Sequence, residues 1–227
     1  MKRIMLLLCL LAASPSPAQL TPLSLVNPLM GTDSSGQFSH GNTVPEVALP
    51  WPVNAWSAYT RPQSDTFYYR YHDEKIRGLR QTHQPSPWMG DYANFALMPV
   101  SGKLVLDEEG RASSFSHENE ISQPSYYKVR LDTWKVTAEM TPTDRAARFR
   151  FHFEEPGDAF VVLDVFQSDR NCSAQIIPAE NKIIGIDSNN RGGVPVNFAN
   201  YFVIIFDQPF AAWGVTASNA PMMSVRD

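Results

Sequence analysis

Apolar and polar residues alternate in short runs over the second half of the chain. Residues 148–153 read Arg-Phe-Arg-Phe-His-Phe, which places three phenylalanines on one face of a strand and three basic side chains on the other. Turn-forming residues separate this run from its neighbours. The strand-length runs are 126–131, 134–140, 148–153, 160–166, 183–186, 201–206 and 211–215. This pattern predicts an all-β fold, a large antiparallel β-sandwich with long loops.

Three segments between these runs have the composition of turns. They are 107–110, 154–158 and 189–193, which combine acidic residues, asparagine, proline and glycine. No helix, internal repeat or low-complexity tract is predicted.

Residues 19 to about 100 differ from the rest, because proline, aromatic residues and turn formers are frequent and no periodicity persists. We expect long loops and short strands here, and long ordered loops in compact domains usually carry function. Within this region two prolines stiffen the segment that precedes Trp88, and Asp91 follows across Gly90. An indole face beside a carboxylate suits a sugar ring, which packs its C–H face on the indole and donates its hydroxyls. The alternative is a buried aromatic turn.

The amino terminus has the features of a signal peptide over residues 1–18. Two basic residues precede a short apolar run, and small residues end it. The run is too short for a transmembrane helix. We therefore expect an exported protein, periplasmic or extracellular, without membrane insertion.

Charge and cysteine content narrow the class of protein further. Without the signal segment the chain has 17 basic and 23 acidic residues and no basic cluster, which disfavours a nucleic-acid partner. Cys172 is then the only cysteine, so an intramolecular disulfide is excluded and a packed core must supply the stability.

Three sequence blocks resemble the amino-terminal domain of glycoside hydrolase family 92, a family of calcium-dependent exo-acting α-mannosidases. The blocks are 26–32 (VNPLMGT), 41–45 (GNTVP) continued by 48–51 (ALPW), and 82–88 (THQPSPW) followed by 90–92 (GDY). They occur in the family's order. The resemblance is close from about residue 24 to 100 and extends to the end through the strand pattern alone.

The resemblance implies a β-sandwich over residues 19–227 that closes one wall of a mannose pocket. On that basis Trp88 supplies an apolar platform and Asp91 accepts hydrogen bonds from sugar hydroxyls. His83 is a further candidate for substrate binding, with a structural role as its alternative. Gly31 and Asp33 lie in the early loop, where a glycine lets the backbone approach a ligand closely. Asp33 departs from the glycine common among relatives, which leaves its role open.

Catalysis in this family is inverting and needs two carboxylates, which the resemblance places with most calcium ligands in a helical (α/α)₆ domain. That domain has no counterpart in this sequence, and the strand pattern suggests a sandwich cut short before its last strands. We therefore expect no catalytic residue, and no calcium or other metal bound by this chain alone. The acidic residues at 107–109 and 154–155 are interpreted as solvated turns.

The five histidines are scattered, without a pair at metal-ligand spacing. We interpret the segments 72–74 (HDE) and 117–118 (HE) as exposed loops.

Two functions remain open at this point. One is the pocket-forming part of an exported α-mannosidase that acts on mannose-containing glycans, with the helical catalytic domain supplied separately. The other is a stand-alone carbohydrate-binding or accessory β-sandwich without catalysis.

Overall fold

The computed structural model describes residues 21–33, 37, 43–62, 68–82, 95–165, 172–187, 195 and 197–216, and the backbone of 217 and 220–225. The strands are β1 (Ala55–Tyr59), β2 (Lys75–Ile76), β3 (Gly78–Thr82), β4 (Phe95–Ser101), β5 (Ser113–Ser114), β6 (Glu120–Gln123), β7 (Tyr126–Leu131), β8 (Val136–Pro142), β9 (Ala147–Phe153), β10 (Ala159–Val165), β11 (Ser173–Ile177), β12 (Lys182–Asp187), β13 (Asn200–Ile205), β14 (Ala212–Ala217) and β15 (Ala220–Val225). One α-helical turn, α1 (Glu108–Arg111), and 3₁₀ turns at Pro22–Leu25, His117–Asn119 and Pro178–Glu180 complete these elements. The fold is all-β, as predicted.

Every strand pairing is antiparallel. The first sheet has the order β1-β3-β4-β10, the second β6-β7-β8-β9 and the third β11-β12-β13. A two-stranded ribbon joins β2 to β5, and β14 forms a hairpin with β15.

One hydrophobic core joins the three sheets. Trp56 of the first sheet meets Phe149 of the second edge-to-face, with ring centroids 5.3 Å apart. Phe95 lies 5.9 Å from Trp56 and 4.6 Å from Phe202 of the third sheet. Large side chains buried in this way contribute about 2 kcal/mol each through removal of apolar surface from water.

The predicted runs become strands, and in β7, β8 and β9 the more buried residues alternate with the more exposed ones. Strand β7 spans 126–131 as predicted, and β8, β9, β10, β12, β13 and β14 overlap the other predicted runs. In β9 the three phenylalanines are half-buried, whereas Arg148, Arg150 and His152 are exposed. The predicted turn at 154–158 is confirmed, and the predicted turn at 189–193 lies outside the described residues.

The segment 107–110 is a helical turn, where a plain turn was predicted. The Asp107 side chain accepts a hydrogen bond from the Gly110 amide (2.6 Å), and Glu108 and Glu109 occupy the first turn. An aspartate cap with acidic residues behind it favours helix initiation, which explains the difference.

The region predicted to contain long loops and short strands contributes the short strands β1 to β4, whose positions were not predicted. Strands β1 and β3 are buried along their whole lengths, on both faces. Such strands lack the alternation that marks a half-exposed strand, which is why the pattern did not show them. No helix in the described residues is both long and apolar enough to cross a membrane.

Candidate functional site

Two neighbouring strands of the first sheet frame the segment that contains Trp88. Strand β3 ends at Thr82 and β4 begins at Phe95, and Gln81 pairs with Phe95 across the two strands. The chain therefore leaves and re-enters the sheet at the same end, which we call the motif end. His83, Trp88 and Asp91 lie outside the described residues, so their roles stay predictions.

Strand ends from two sheets converge at the motif end. Ala55, the first residue of β1, pairs with Thr82, and Val165, the last of β10, pairs with Phe95. The third sheet reaches the same place because Asn200 Nδ2 donates to Gln81 Oε1 at 3.4 Å. The ends of β3 and β4 thus lie in a packed frame.

Polar side chains are buried at this end of the sheet. Gln81 is 2% exposed, and its Nε2 donates to Asn54 Oδ1 at 2.8 Å. Thr82 and Asp187 are fully buried, and Cys172 Sγ donates to Asp187 Oδ1 at 3.4 Å. Buried polar groups cost free energy unless they are hydrogen-bonded, so they fix this end in one arrangement.

A buried cation lies two residues before the segment leaves β3. The guanidinium of Arg80 lies 4.6 Å from the ring centroid of Tyr59 and 4.8 Å from that of Tyr68. Burial lowers the pKa of Arg80 and raises the pKa of both tyrosines. Cation–π contacts of this kind stabilise a desolvated guanidinium.

A carboxyl group adjoins the same frame. Glu46 precedes Val47, which forms a bridge with Trp56 at the start of β1. Oε1 of Glu46 is buried and has no hydrogen-bond partner, and burial raises the pKa of this carboxyl to about 7. Perturbed carboxyls without a structural partner are concentrated at functional sites.

The early glycine loop is held against the second sequence block. Gly31 has φ +83°, and a Cβ there would lie 2.8 Å from Thr43 Oγ1. Thr43 Oγ1 in turn donates to the Met30 carbonyl at 3.0 Å, and the buried Thr32 donates to the Leu29 carbonyl. Only glycine fits this backbone. The close approach seen here is to Thr43, and contact of Gly31 with a ligand stays a prediction.

Asp33 is exposed at the end of that loop. Its Oδ1 lies 2.7 Å from His72 Nε2, and the two side chains are 51% and 76% exposed. An exposed pair of this kind contributes little to stability, and contact of Asp33 with a ligand stays a prediction.

The segments at 72–74 and 117–118, interpreted as exposed loops, line one cavity of about 350 Å³. His72, Glu74 and Glu118 are exposed as expected, but Asp73 and His117 are half-buried. Its ring stacks on Tyr71 at 3.9 Å, and its Nδ1 lies 2.5 Å from Glu120 Oε2. Among the described residues no group of three or more His, Cys, Asp or Glu side chains is arranged to hold a metal ion.

Reasoning from the sequence missed the buried polar residues of the frame. The sequence does not indicate the burial of Arg80 and Gln81, since the strand that contains them shows no alternation, and Thr82 enters only as the first residue of the block 82–88. For Glu46, the sequence offered one indication of a place beside the candidate site: it directly follows Pro45, which belongs to the second block.

Comparison with known proteins identifies the family. Residues 25–226 match the family model described as the glycosyl hydrolase family 92 N-terminal domain. No curated protein sequence matches.

Solved structures of family 92 mannosidases share the fold. An inverting mannosidase from Bacteroides thetaiotaomicron VPI-5482 is 40% identical in sequence and superposes with a TM-score of 0.80. The match covers 88% of the present chain and 27% of the mannosidase. A family 92 α-mannosidase from Bacteroides thetaiotaomicron is 26% identical in sequence and has a TM-score of 0.72. This match covers 86% of the present chain and 27% of the α-mannosidase. The same α-mannosidase in complex with mannoimidazole has a TM-score of 0.71 at 26% identity. The match covers 86% of the present chain and 26% of the α-mannosidase.

The chain thus spans about a quarter of the length of these relatives. Its match to the family model extends over nearly all of it, and the framed segment carries the block on which the resemblance chiefly rests. The chain belongs to glycoside hydrolase family 92 and corresponds to the amino-terminal domain of that family.

Proposed function

We propose that this chain supplies one wall of the mannoside pocket of an exported α-mannosidase that removes terminal α-mannosyl residues from glycans. The match of residues 25–226 to the family's amino-terminal domain carries this proposal. The two solved relatives from Bacteroides thetaiotaomicron are mannosidases, which supports mannose as the sugar.

The motif end is the part of the chain that serves this role. Trp88 provides the platform for the sugar's apolar face, Asp91 accepts its hydroxyls, and His83 adds a further polar contact. The strands that flank residues 83–94 are paired and buried, which supports the placement of this role at the motif end. Gly31 and Asp33 belong to the neighbouring loop of the same pocket.

The reaction itself is divided between this wall and a helical domain. Inverting hydrolysis needs an acid and a base about 6.5–9.5 Å apart, with water between the base and the sugar. In this proposal both carboxylates and the calcium ligands come from the helical domain, and the present chain holds the substrate. Residues 1–18 direct export.

The third sheet offers a surface on which such a domain can dock. Tyr201, Val203 and Ile205 project from one face of β13 and are 77%, 60% and 73% exposed. Their partners across the register on β12 include Ile186 and Ile184, so the apolar residues are contiguous. A contiguous apolar face usually marks an interaction site. We call these five residues the outer face of the third sheet.

Calorimetric titration with methyl α-mannoside tests the pocket. Trp88→Ala is expected to abolish measurable affinity and to leave the circular dichroism unchanged. Trp51→Ala is the matched control, because Trp51 is 96% exposed and belongs to another block. Loss of the fold in Trp88→Ala would show that Trp88 is a core residue. If Trp88→Ala binds the mannoside as tightly as the unchanged chain, Trp88 does not contact the sugar.

Adding a family 92 helical domain as a separate chain tests the division of labour. We expect α-mannosidase activity only when both parts are present, with the helical domain inactive alone. Mannoside binding without any gain of activity in the mixture would favour a stand-alone carbohydrate-binding module.

A further inference from the structure

A cavity of about 350 Å³ lies at the end of the first sheet that is opposite the motif end. Ala55, the first residue of β1, is at the motif end, whereas Tyr59, the last, is at the other. Thr60 follows Tyr59, and its Oγ1 donates to Oδ2 of Asp73, which lines the cavity, at 2.7 Å. The length of β1 separates the two ends by roughly 13 Å, so the cavity is distinct from the pocket proposed at the motif end.

Three ring side chains form one wall of this cavity. The rings of Tyr71 and His117 are stacked, with centroids 3.9 Å apart, and Phe115 meets His117 edge-to-face at 5.1 Å. Both nitrogens of His117 are engaged, because Nδ1 lies 2.5 Å from Glu120 Oε2 and Nε2 lies 2.7 Å from the Tyr71 carbonyl oxygen. The three rings are half-buried. They therefore form a fixed apolar surface that remains partly accessible.

Polar groups line the rest of the cavity. Glu74 and Glu118 are exposed, and within the part of the chain that the structure describes neither carboxylate takes part in a hydrogen bond or an ion pair. Ser116 Oγ accepts from the Glu118 amide at 3.2 Å, which leaves its hydroxyl proton to donate. The cavity thus offers two unengaged acceptors and one donor beside an aromatic wall.

This lining restricts the class of ligand. Asp73, Glu74 and Glu118 disfavour an anion. A metal ion is disfavoured too, because these carboxylates do not belong to any arrangement of three ligating side chains among the described residues. A neutral saccharide fits, since its hydroxyls both donate to the carboxylates and accept from Ser116, whereas an organic cation has no group for that hydroxyl. Ligand pockets have volumes of roughly 300–1,000 Å³, so this one suits one or two sugar rings.

We propose that this cavity is a second saccharide site, which holds a two-ring α-mannoside segment of a glycan. The sugar packs a C–H face on the aromatic wall, and its hydroxyls donate to Glu74 and Glu118. The inference takes the kind of glycan from the proposed function, but it does not depend on the pocket at the motif end. Two sites on one chain retain a long or branched glycan, because binding at one raises the effective concentration at the other.

Calorimetric titration of Trp88→Ala with an α-linked mannobiose isolates the cavity from the motif end. We expect this variant to bind mannobiose at one site. Methyl α-mannoside offers one ring instead of two and is expected to bind the cavity too weakly for calorimetry. Adding Glu74→Ala or Glu118→Ala weakens mannobiose binding about tenfold, as expected for loss of a charge-assisted hydrogen bond. Glu155→Ala is the control, at an exposed turn carboxyl outside the cavity.

Nuclear magnetic resonance provides a measurement that does not need the Trp88 variant. On addition of mannobiose to the unchanged chain, the aromatic side-chain signals of Tyr71 and Phe115 are expected to shift. In a variant that combines Glu74→Ala with Glu118→Ala, the same signals are expected to stay in place. Circular dichroism checks that this double variant keeps its fold.

The outcomes separate this site from the proposed pocket. If the chain binds methyl α-mannoside but mannobiose leaves the Tyr71 and Phe115 signals unchanged, the pocket stands and the second site is excluded. If tetramethylammonium shifts these signals and mannobiose does not, the cavity takes an organic cation and the saccharide assignment is wrong. If mannobiose shifts them while methyl α-mannoside gives no heat, the cavity is a saccharide site and the pocket at the motif end fails.

Discussion

The Glu46 carboxyl carries a stability cost that depends on pH. Its pKa is about 7 in the folded chain, against 4.5 for an unperturbed glutamate. The folded state therefore binds the proton more tightly than the unfolded state, so stability falls as pH rises from about 4.5 to 7 and is level beyond. In full burial this difference would amount to about 3 kcal/mol, and partial exposure reduces it to about 2 kcal/mol.

Urea unfolding of Glu46→Gln checks this cost directly. At pH 8 we expect the variant to be about 2 kcal/mol more stable than the unchanged chain, because glutamine cannot ionise. At pH 4 the two should have similar stability. Parallel pH profiles of the unfolding free energy in the two proteins would contradict the expectation.

The opposite case is Glu120, a buried carboxyl with many partners. Its side chain is 0% exposed, and Oε1 accepts from Tyr127 Oη at 2.5 Å and Tyr69 Oη at 3.3 Å. Oε2 meets His117 Nδ1, and His117 Nε2 is 2.7 Å from the Tyr71 carbonyl. These contacts join β6, β7 and the turn at Tyr71. Burial, and then the charge of Glu120, raise the pKa of Tyr69 and Tyr127.

Glu120→Gln is expected to lower the unfolding free energy by about 2–3 kcal/mol, since an amide cannot accept at both positions and leaves buried groups unsatisfied. Chemical denaturation measures the change. Glu118→Gln, two residues away and exposed, is the control, with an expected change within about 0.5 kcal/mol. Equal effects at the two positions would show that these contacts contribute nothing.

At the scale of elements, the third sheet depends on close contact between β12 and β13. A Cβ on Gly185 would lie 2.1 Å from an atom of the Phe202 ring and 2.7 Å from the Ser173 carbonyl. Phe202 is 7% exposed and packs on Phe95, so its ring cannot move without disturbing the first sheet. The glycine lets this ring lie flat against the strand.

Gly185→Ala should therefore destabilise the chain by about 2–3 kcal/mol through overpacking. Adding Phe202→Leu should restore part of the loss, because the smaller side chain vacates the space, and the double variant should be more stable than Gly185→Ala alone. Thermal unfolding of the single and double variants measures the coupling. If the stability changes caused by Gly185→Ala and Phe202→Leu simply add in the double variant, the contact between residue 185 and the Phe202 ring does not cause the destabilisation.

The burial of each strand determines how well the sequence pattern predicts it. The runs that became β7 and β9 alternate because one face of each strand packs on the core and the other faces solvent. Strand β3 carries Arg80 and Gln81 in full burial, where they contact Tyr59 and Asn54, residues distant in the sequence, and no local pattern encodes those partners. The sequence blocks led to the predicted site residues. The position of Glu46 beside the first sheet, in contrast, follows only from the pairing of Val47 with Trp56 in the structure.

At the scale of the whole molecule, the outer face of the third sheet governs association. Tyr201, Val203 and Ile205 are largely exposed on β13, which among the described strands pairs only with β12. An apolar face on an edge strand promotes contact between copies when no other domain covers it. We expect the chain on its own to self-associate as its concentration rises, as measured by light scattering and sedimentation velocity.

Val203→Thr with Ile205→Thr should shift that equilibrium towards monomer, because threonine retains β propensity while reducing apolar area. Ile121→Thr is the control, since Ile121 is 42% exposed but lies on β6 of the second sheet. The double variant should also weaken any complex with an added helical domain if both partners use this face. A monomeric unchanged chain at all concentrations, or equal association in the double variant, would exclude this face as the contact surface.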